Sequence, residues 1–248
     1  MYEPLMEFIG ESEPSTDFFC FQEVFNGDNE LGLDLGRNLL DFKLDILSKL
    51  MRALQNFDLF YAPTSTVKMG DGEVTVGLAI FSKKGIKIDS KGDVTICRCD
   101  KSDDLFGSSR NMQYVRLINN GAKITLCNFH GTVFPGDKLD TGERLSQSRR
   151  IVEFLNKEDG ERVLGGDFNL MPQTKSIEII ESSGMSNLIK DFNISSTRSD
   201  ISYEMYKHMN NQQHFADYVF VSSDVNAKSF EVPRLGISDH LPLILQLD

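Results

Sequence analysis

The strongest restriction on what this chain can fold into is a set of about ten short apolar runs, several of them with almost no polar alternation. Asp17 to Val24, Val74 to Phe81 and Arg162 to Gly166 are too short for buried helices. The first of these has little alternation, which is the pattern of a strand covered on both faces. A polar group stands where such runs close: Gln22-Glu23, Asn128-Phe129-His130, Gly166-Asp167-Phe168-Asn169, Asp217-Tyr218 and Ser238-Asp239-His240. Strand ends that feed loops are where sites are built, so these groups are the first candidates for function.

Between the strands the period changes. Pro4, followed by Leu5, Met6, Phe8 and Ile9, predicts a short opening helix. Leu39, Phe42, Leu44, Ile46, Leu47, Leu50 and Leu54 predict an amphipathic one. A second long helix is expected over Glu143 to Asn156, with Leu145, Ile151, Val152 and Leu155 as its buried stripe, and a shorter one over Lys175 to Glu181 with Thr174 as N-cap and Gly184 as stop. The remaining strands are expected at Leu59 to Tyr61, Val94 to Arg98, Asn111 to Ile118, Lys123 to Phe129, Tyr218 to Val221, Val225 to Val232 and Leu241 to Leu247. Asn119-Asn120-Gly121 joins two of these as a hairpin, and Met69-Gly70-Asp71-Gly72 reads as a turn. Gly131 to Gly142 is a long polar loop directly after His130, placed to cover a site or to connect. The pattern predicts two packed mixed sheets flanked by helices.

A length of 248 residues with 40% hydrophobic content suits one domain with one sizeable core. The formal net charge of −11 repels polyanions and argues against a long duplex as partner. Arg98, Arg110, Arg116, Arg144, Arg149 and Arg150 are available for a local phosphate site, although such side chains at a surface are ordinarily just solvated. Cys20, Cys97, Cys99 and Cys127 have neither zinc-knuckle nor redox-pair spacing and read as thiols of a reducing compartment. No apolar stretch is long enough for a membrane span and no leader precedes the first strand, so a cytoplasmic location is expected.

Glu23, Asp167 and Asp239 supply carboxylate oxygens and Asn169 an amide oxygen, the hard donors that suit Mg²⁺, with Mn²⁺ as a substitute. A divalent cation on one or two carboxylates suits phosphate ester chemistry. His130 and His240 are then available for proton transfer or for stabilising charge on the transition state. His208 and His214 stand outside any motif and read as ordinary surface residues.

The order Gln-Glu, Asn-x-His, Gly-Asp-x-Asn, Asp-Tyr and Ser-Asp-His, spanning Gln22 to His240, resembles the endonuclease/exonuclease/phosphatase superfamily, the deoxyribonuclease I-like group. That resemblance implies an α+β fold, a four-layer α/β/β/α sandwich of two packed mixed β-sheets flanked by helices. It implies Glu23 and Asp239 as metal-binding carboxylates, Asp167 as the residue that aligns or deprotonates the attacking water, and Asn169 as the amide holding that water or the phosphate. His240 matches the histidine on the scissile phosphate, Asp217 the carboxylate fixing its ring, and His130 a second phosphate contact. An aspartate beside a histidine favours the charged imidazole. Arg110, in Arg-Asn before a strand, resembles the arginine that the tyrosyl-DNA phosphodiesterase branch points at phosphate, and Tyr61, in Phe-Tyr-Ala-Pro, resembles a substrate-side tyrosine.

The chain also departs from the pattern. Members ordinarily begin with a strand ending in a metal-site asparagine, and the first twenty residues here contain no Asn. Residues 1–248 are therefore expected to be a single domain truncated by one N-terminal strand. Without that strand, buried backbone groups on its neighbours would lack partners, at roughly 1 to 3 kcal/mol each. No Trp stands beside Gly-Asp-x-Asn and no Cys-Asp-Arg occurs, unlike the inositol-polyphosphate 5-phosphatases; secreted sphingomyelinases and abasic-site endonucleases also fit poorly. The expected protein is a monomeric hydrolase of a phosphodiester or phosphomonoester, acting on nucleotides or on short or end-modified nucleic acid. The alternatives are a catalytically impaired fragment, a non-catalytic binding protein on the same fold, and a phospholipid or inositol phosphate phosphoesterase.

Overall fold

The short apolar runs become strands, and most extend beyond the apolar residues that announce them. A computed structural model describes residues 2–27, 44–69, 72–98, 109–206 and 213–248. Leu39, Phe42, the middle of the turn at 70–71, Cys99 and His208 lie outside the described residues. The chain divides into two compact units, Met1–Ile86 with Arg98–Ser109, and Lys87–Cys97 with Arg110–Asp248.

The first unit holds helix α1 (Glu3–Ser12), strand β1 (Phe18–Asn26), helix α2 (Ile46–Ala53) and strands β2 (Phe57–Met69) and β3 (Gly72–Lys83). Its three-stranded sheet runs β1-β3-β2, antiparallel throughout. β3 is central and is buried continuously from Val76 to Ser82, whereas β1 is only half-buried from Phe18 to Gln22. Ile9, Phe25, Leu47, Leu50, Leu54, Phe57, Val74 and Phe81 form the core, so one stripe of each helix is spent on this sheet. The β1–β3 register slips between Phe21 and Val24, where β1 carries one residue more than its partner. Glu23 sits in that bulge with a φ of 52°.

The second unit holds β4 (Ile88–Cys97), β5 (Arg110–Asn119), β6 (Ala122–His130), α3 (Gly142–Leu155), β7 (Glu161–Asp167), α4 (Lys175–Glu181), β8 (Met185–Asn187), α5 (Leu188–Asp191), α6 (Asp200–Tyr206), β9 (Asp217–Ser222), β10 (Ala227–Glu231) and β11 (Ile244–Leu247). A six-stranded sheet runs β4-β5-β6-β7-β9-β8, and β10 pairs with β11. β6 and β7 are parallel while the other neighbours in the large sheet are antiparallel, which makes it mixed. The β5–β6 hairpin turns at Asn120 (φ 48°) and Gly121 (φ 87°), the paired left-handed geometry that Asn-Gly favours. Phe168 anchors the aromatic part of the core, with its ring centroid 5.2 Å from Phe129, 5.6 Å from Tyr218 and 5.4 Å from Phe220.

Several expectations change in detail. α3 buries Arg144 and leaves Leu145 half-buried, because the guanidinium turns into the carbonyls of the preceding loop. The last strand begins at Ile244, not Leu241. β8, α5 and α6 are too short to carry a readable period. Among the described residues, no helix is long and apolar enough to cross a membrane.

Candidate active site

Sheet topology in the second unit sets three run-ends side by side. The parallel β6–β7 register pairs His130 with Asp167, and the antiparallel β7–β9 register pairs Asp167 with Asp217. The end of β7 can approach β6 this closely only with glycine at 166. Its φ is 141°, and a Cβ there would stand 1.9 Å from Phe129 O. Beyond the strands, Gly131 N donates to Asp167 O at 2.7 Å.

After Asp167 the backbone folds into an Asx turn. Asn169 N donates to Asp167 Oδ1 at 2.8 Å, and Asn169 takes a left-handed φ of 53°, which asparagine tolerates. The Asn169 side chain is buried; its Nδ2 donates to Gly131 O at 3.3 Å and its Oδ1 accepts from the buried Lys138 Nζ. Lys138 lies in the loop after β6, and its own carbonyl accepts from Met171 N at 2.9 Å.

His240 faces this edge from the segment before β11. Its Nδ1 lies 2.8 and 2.9 Å from the two carboxylate oxygens of Asp217, and its Nε2 lies 3.7 Å from Asp167 Oδ2 and 3.6 Å from Asp239 Oδ2. His130 Nε2 is 3.8 Å from the same oxygen, Asp167 Oδ2. Burial opposes charge on His240, but Asp217, Asp167 and Asp239 outweigh both that and Arg198, and its pKa is pushed up to about 9. Burial and the nearby Arg110 push His130 down to about 3, so this second histidine is neutral. Burial likewise opposes charge on Asp167, yet His240, Arg198 and Lys138 hold it down at about 2. Asp217 is raised, chiefly by burial. The arrangement keeps a charged imidazole and a neutral one against the same oxygen of an ionised carboxylate.

His130, Asp167, Asn169, Asp217, Asp239 and His240 thus come together in one unit. Arg110 opens β5 in the same unit, buried to 5% exposure. Glu23 and Tyr61 belong to the other. Glu23 is exposed on its bulge, in a backbone conformation that costs a non-glycine residue about 1 kcal/mol or more. The Tyr61 hydroxyl donates to Val24 O at 3.1 Å and lies 2.9 Å from Thr75 Oγ1, inside its own sheet. His214 is exposed, with Nδ1 2.7 Å from Tyr203 Oη.

Two basic residues escape a reading of the sequence. Lys138 stands in the loop already marked as able to cover a site, but no spacing singles it out. Arg198, whose Nη1 is 3.0 Å from Asp239 Oδ2 and 2.7 Å from His240 Nε2, lies in Ser195-Ser196-Thr197-Arg198-Ser199, a polar run without period. Thr197 escapes it too: its Oγ1 accepts from Ala216 N and Asp217 N at 3.1 and 3.2 Å and fixes the start of β9.

Ligand atoms of Asp167, Asp217 and His240 lie within 4.8 Å of one another. His240 Nδ1 is committed to Asp217, so the donors left for a cation in this cluster are carboxylate oxygens, a hard set that fits Mg²⁺ or Mn²⁺ better than zinc. Asp239 is the more open carboxylate, 31% exposed against 9% for Asp167.

A family model described as "Endonuclease/Exonuclease/phosphatase family" matches residues 2–240. The fold resembles a mannosyl-6-phosphatase from Bacteroides thetaiotaomicron at 16% identity, covering 100% of this chain and 90% of that one with a TM-score of 0.68. An endonuclease/exonuclease/phosphatase from Bacteroides vulgatus is similar at 18% identity, with 100% and 90% coverage and a TM-score of 0.69. The catalytic domain of human Nocturnin, solved with a bound sulfate anion, is similar at 15% identity, with 99% and 86% coverage and a TM-score of 0.61. A search of curated proteins by sequence finds no match.

Proposed function

Because the chain belongs to the endonuclease/exonuclease/phosphatase family, whose members are phosphoesterases, we propose that it is a divalent-metal-dependent hydrolase of phosphate esters. The substrate in this reading is a nucleotide, a short nucleic acid or another small phosphate ester. The observation that carries it is the Asp217–His240 pair at 2.8 Å, set against the ionised Asp167 at the aligned ends of β6, β7 and β9.

Asp239 is the carboxylate of this unit that would hold the cation, a role the motif series gives to Glu23 as well; a cation bound there would polarise a phosphoryl oxygen and neutralise charge that develops on it. His240, kept charged by Asp217, donates from Nε2 to a phosphate oxygen and is matched to the negative charge that grows in the transition state. A carboxylate held at about 2 is a weak base, so Asp167 acts chiefly by aligning the attacking water along the line of the breaking P–O bond. Asn169 contributes by fixing that carboxylate through its backbone N–H and by holding Lys138 with its amide oxygen. His130, neutral, serves as a hydrogen-bonding contact to phosphate and not as a charge.

Hydrolysis of bis-p-nitrophenyl phosphate and p-nitrophenyl phosphate, measured with Mg²⁺ and again with EDTA, tests the reading. Turnover is expected only with the metal, and Asp167→Asn and His240→Ala are each expected to lower kcat by about 10²-fold or more. Undiminished turnover in either variant would remove these residues from the site.

A further inference from the structure

The catalytic assignment gives Arg198 an electrostatic part beside Asp167 and Asp239 but no contact with substrate. Residues Ser196 to Ser199 are all buried, and their backbone is laced to its surroundings on two sides. Ser199 N donates to Asp239 O at 3.1 Å, Leu241 N donates to Thr197 O at 2.9 Å, and Arg198 forms an isolated bridge with His240. Thr197 N donates to His214 O at 2.8 Å. The position from which the Arg198 side chain starts is therefore fixed relative to His240. Its guanidinium, 8% exposed, places Nη1 3.0 Å from Asp239 Oδ2 and 2.7 Å from His240 Nε2.

A guanidinium can only donate hydrogen bonds. With Nδ1 of His240 taken by Asp217, Nη1 of Arg198 and the protonated Nε2 of the ring, both donors, stand 2.7 Å apart, and Nε2 lies 3.7 Å from Asp167 Oδ2. An anionic oxygen placed beside that pair meets both groups at once. Lys138 Nζ, on Asn169 Oδ1, and Arg110, close enough to act on His130, add further positive charge. This concentration of basic groups is unusual for a chain of net charge −11. A phosphomonoester dianion presents three terminal oxygens, whereas a diester presents two and carries a bulky, weakly basic ester oxygen in the third place. A rigid donor aimed at the third terminal oxygen therefore favours the monoester over the diester.

We infer that Arg198 is a specificity-determining residue that selects a terminal phosphate, which makes this site one for phosphomonoesters in preference to internal diesters. The inference rests on the phosphoesterase reading and narrows its substrate class. The test compares wild type with Arg198→Gln and Arg198→Lys in kcat/KM for p-nitrophenyl phosphate and for bis-p-nitrophenyl phosphate with Mg²⁺. Calorimetric titration with inorganic phosphate and thermal melting of each variant accompany it. Wild type should prefer the monoester. Arg198→Gln should lower monoester kcat/KM by about 10²-fold or more, a loss at least about tenfold larger than its loss on the diester, and should raise the Kd for inorganic phosphate at least about tenfold. Arg198→Lys, which keeps the charge and loses the planar fork, should fall between the two. Equal losses on both esters, a wild-type preference for the diester, or unchanged phosphate affinity in a folded Arg198→Gln protein would overturn the inference. If wild type turns over neither ester with any divalent cation, the phosphoesterase reading fails, and the phosphate titration alone then decides whether Arg198 is an anion ligand.

Discussion

His240 sits in a conflict that its neighbours resolve. Burial works against its charge, yet Asp217 at 2.8 Å, with Asp167 and Asp239 beyond, lifts its pKa to about 9. An unfolded histidine titrates near about 6.5. The stabilisation from this ion cluster is therefore complete below about pH 6.5 and is lost as pH rises through about 9. Urea denaturation in EDTA should show wild-type stability falling across that window by up to about 3 kcal/mol, and Asp217→Asn should flatten the slope. A pH-independent wild-type curve would contradict the assignment. Gly166→Ala is a purely steric companion test, since its Cβ would fall 1.9 Å from Phe129 O at a φ of 141°. It should destabilise by on the order of 3 kcal/mol in thermal or chemical unfolding. Residues such as His130, Asp167 and His240 were legible because each stands at the edge of an apolar run and in an ordered series of motifs, a one-dimensional signal. Arg198 and Lys138 were not, because what distinguishes them is burial in segments whose local sequence reads as loop.

Among the elements, the loop between β6 and α3 shows how a polar segment is given a fixed shape. Arg144, 1% exposed, donates to the carbonyls of Thr132, Val133, Pro135 and Leu139 at 3.2, 3.0, 2.6 and 2.5 Å. The loop so ordered carries Lys138 to Asn169. Arg144→Gln should destabilise the protein by roughly 2 to 4 kcal/mol and raise amide exchange across residues 131–141 before it affects the sheet. The end of the same loop starts α4: Asp140 accepts from Lys175 N at 2.7 Å and from Ser176 N at 2.9 Å. Thr174 occupies the N-cap position, but its hydroxyl donates to Met171 O instead. Asp140→Ala should therefore cost about 1 kcal/mol in unfolding experiments, with Thr174→Ala costing less. The position of the cap was readable and its chemistry was not, because the capping carboxylate comes from a residue distant in sequence. The same limit explains Arg144, whose place on α3 suggested a solvated charge until its carbonyl partners were known.

For the molecule as a whole, a net charge of −11 sets what can be held from a distance. Turnover of small phosphate esters should change by less than about twofold between roughly 50 and 200 mM salt, and a long DNA duplex should compete poorly, because few counterions are released on binding. A steep loss of affinity with salt would point instead to an extended polyanion contact. The order of motifs from Gln22 to His240 was enough to place the chain in its family, since all five groups recur in sequence at the ends of apolar runs. The strand pairing behind that order was not written in it: β6 and β7 are parallel, and their shared register brings His130 and Asp167 level. Because side chains alternate faces along a strand, gaining or losing one residue within 122–130 or 161–167 would send one of these two groups to the opposite side of the sheet. Related chains should therefore tolerate insertions freely across 131–141 while keeping the spacing inside both strands, so that the catalytic edge is inherited as a matter of counting and the specificity around it as a matter of loop length.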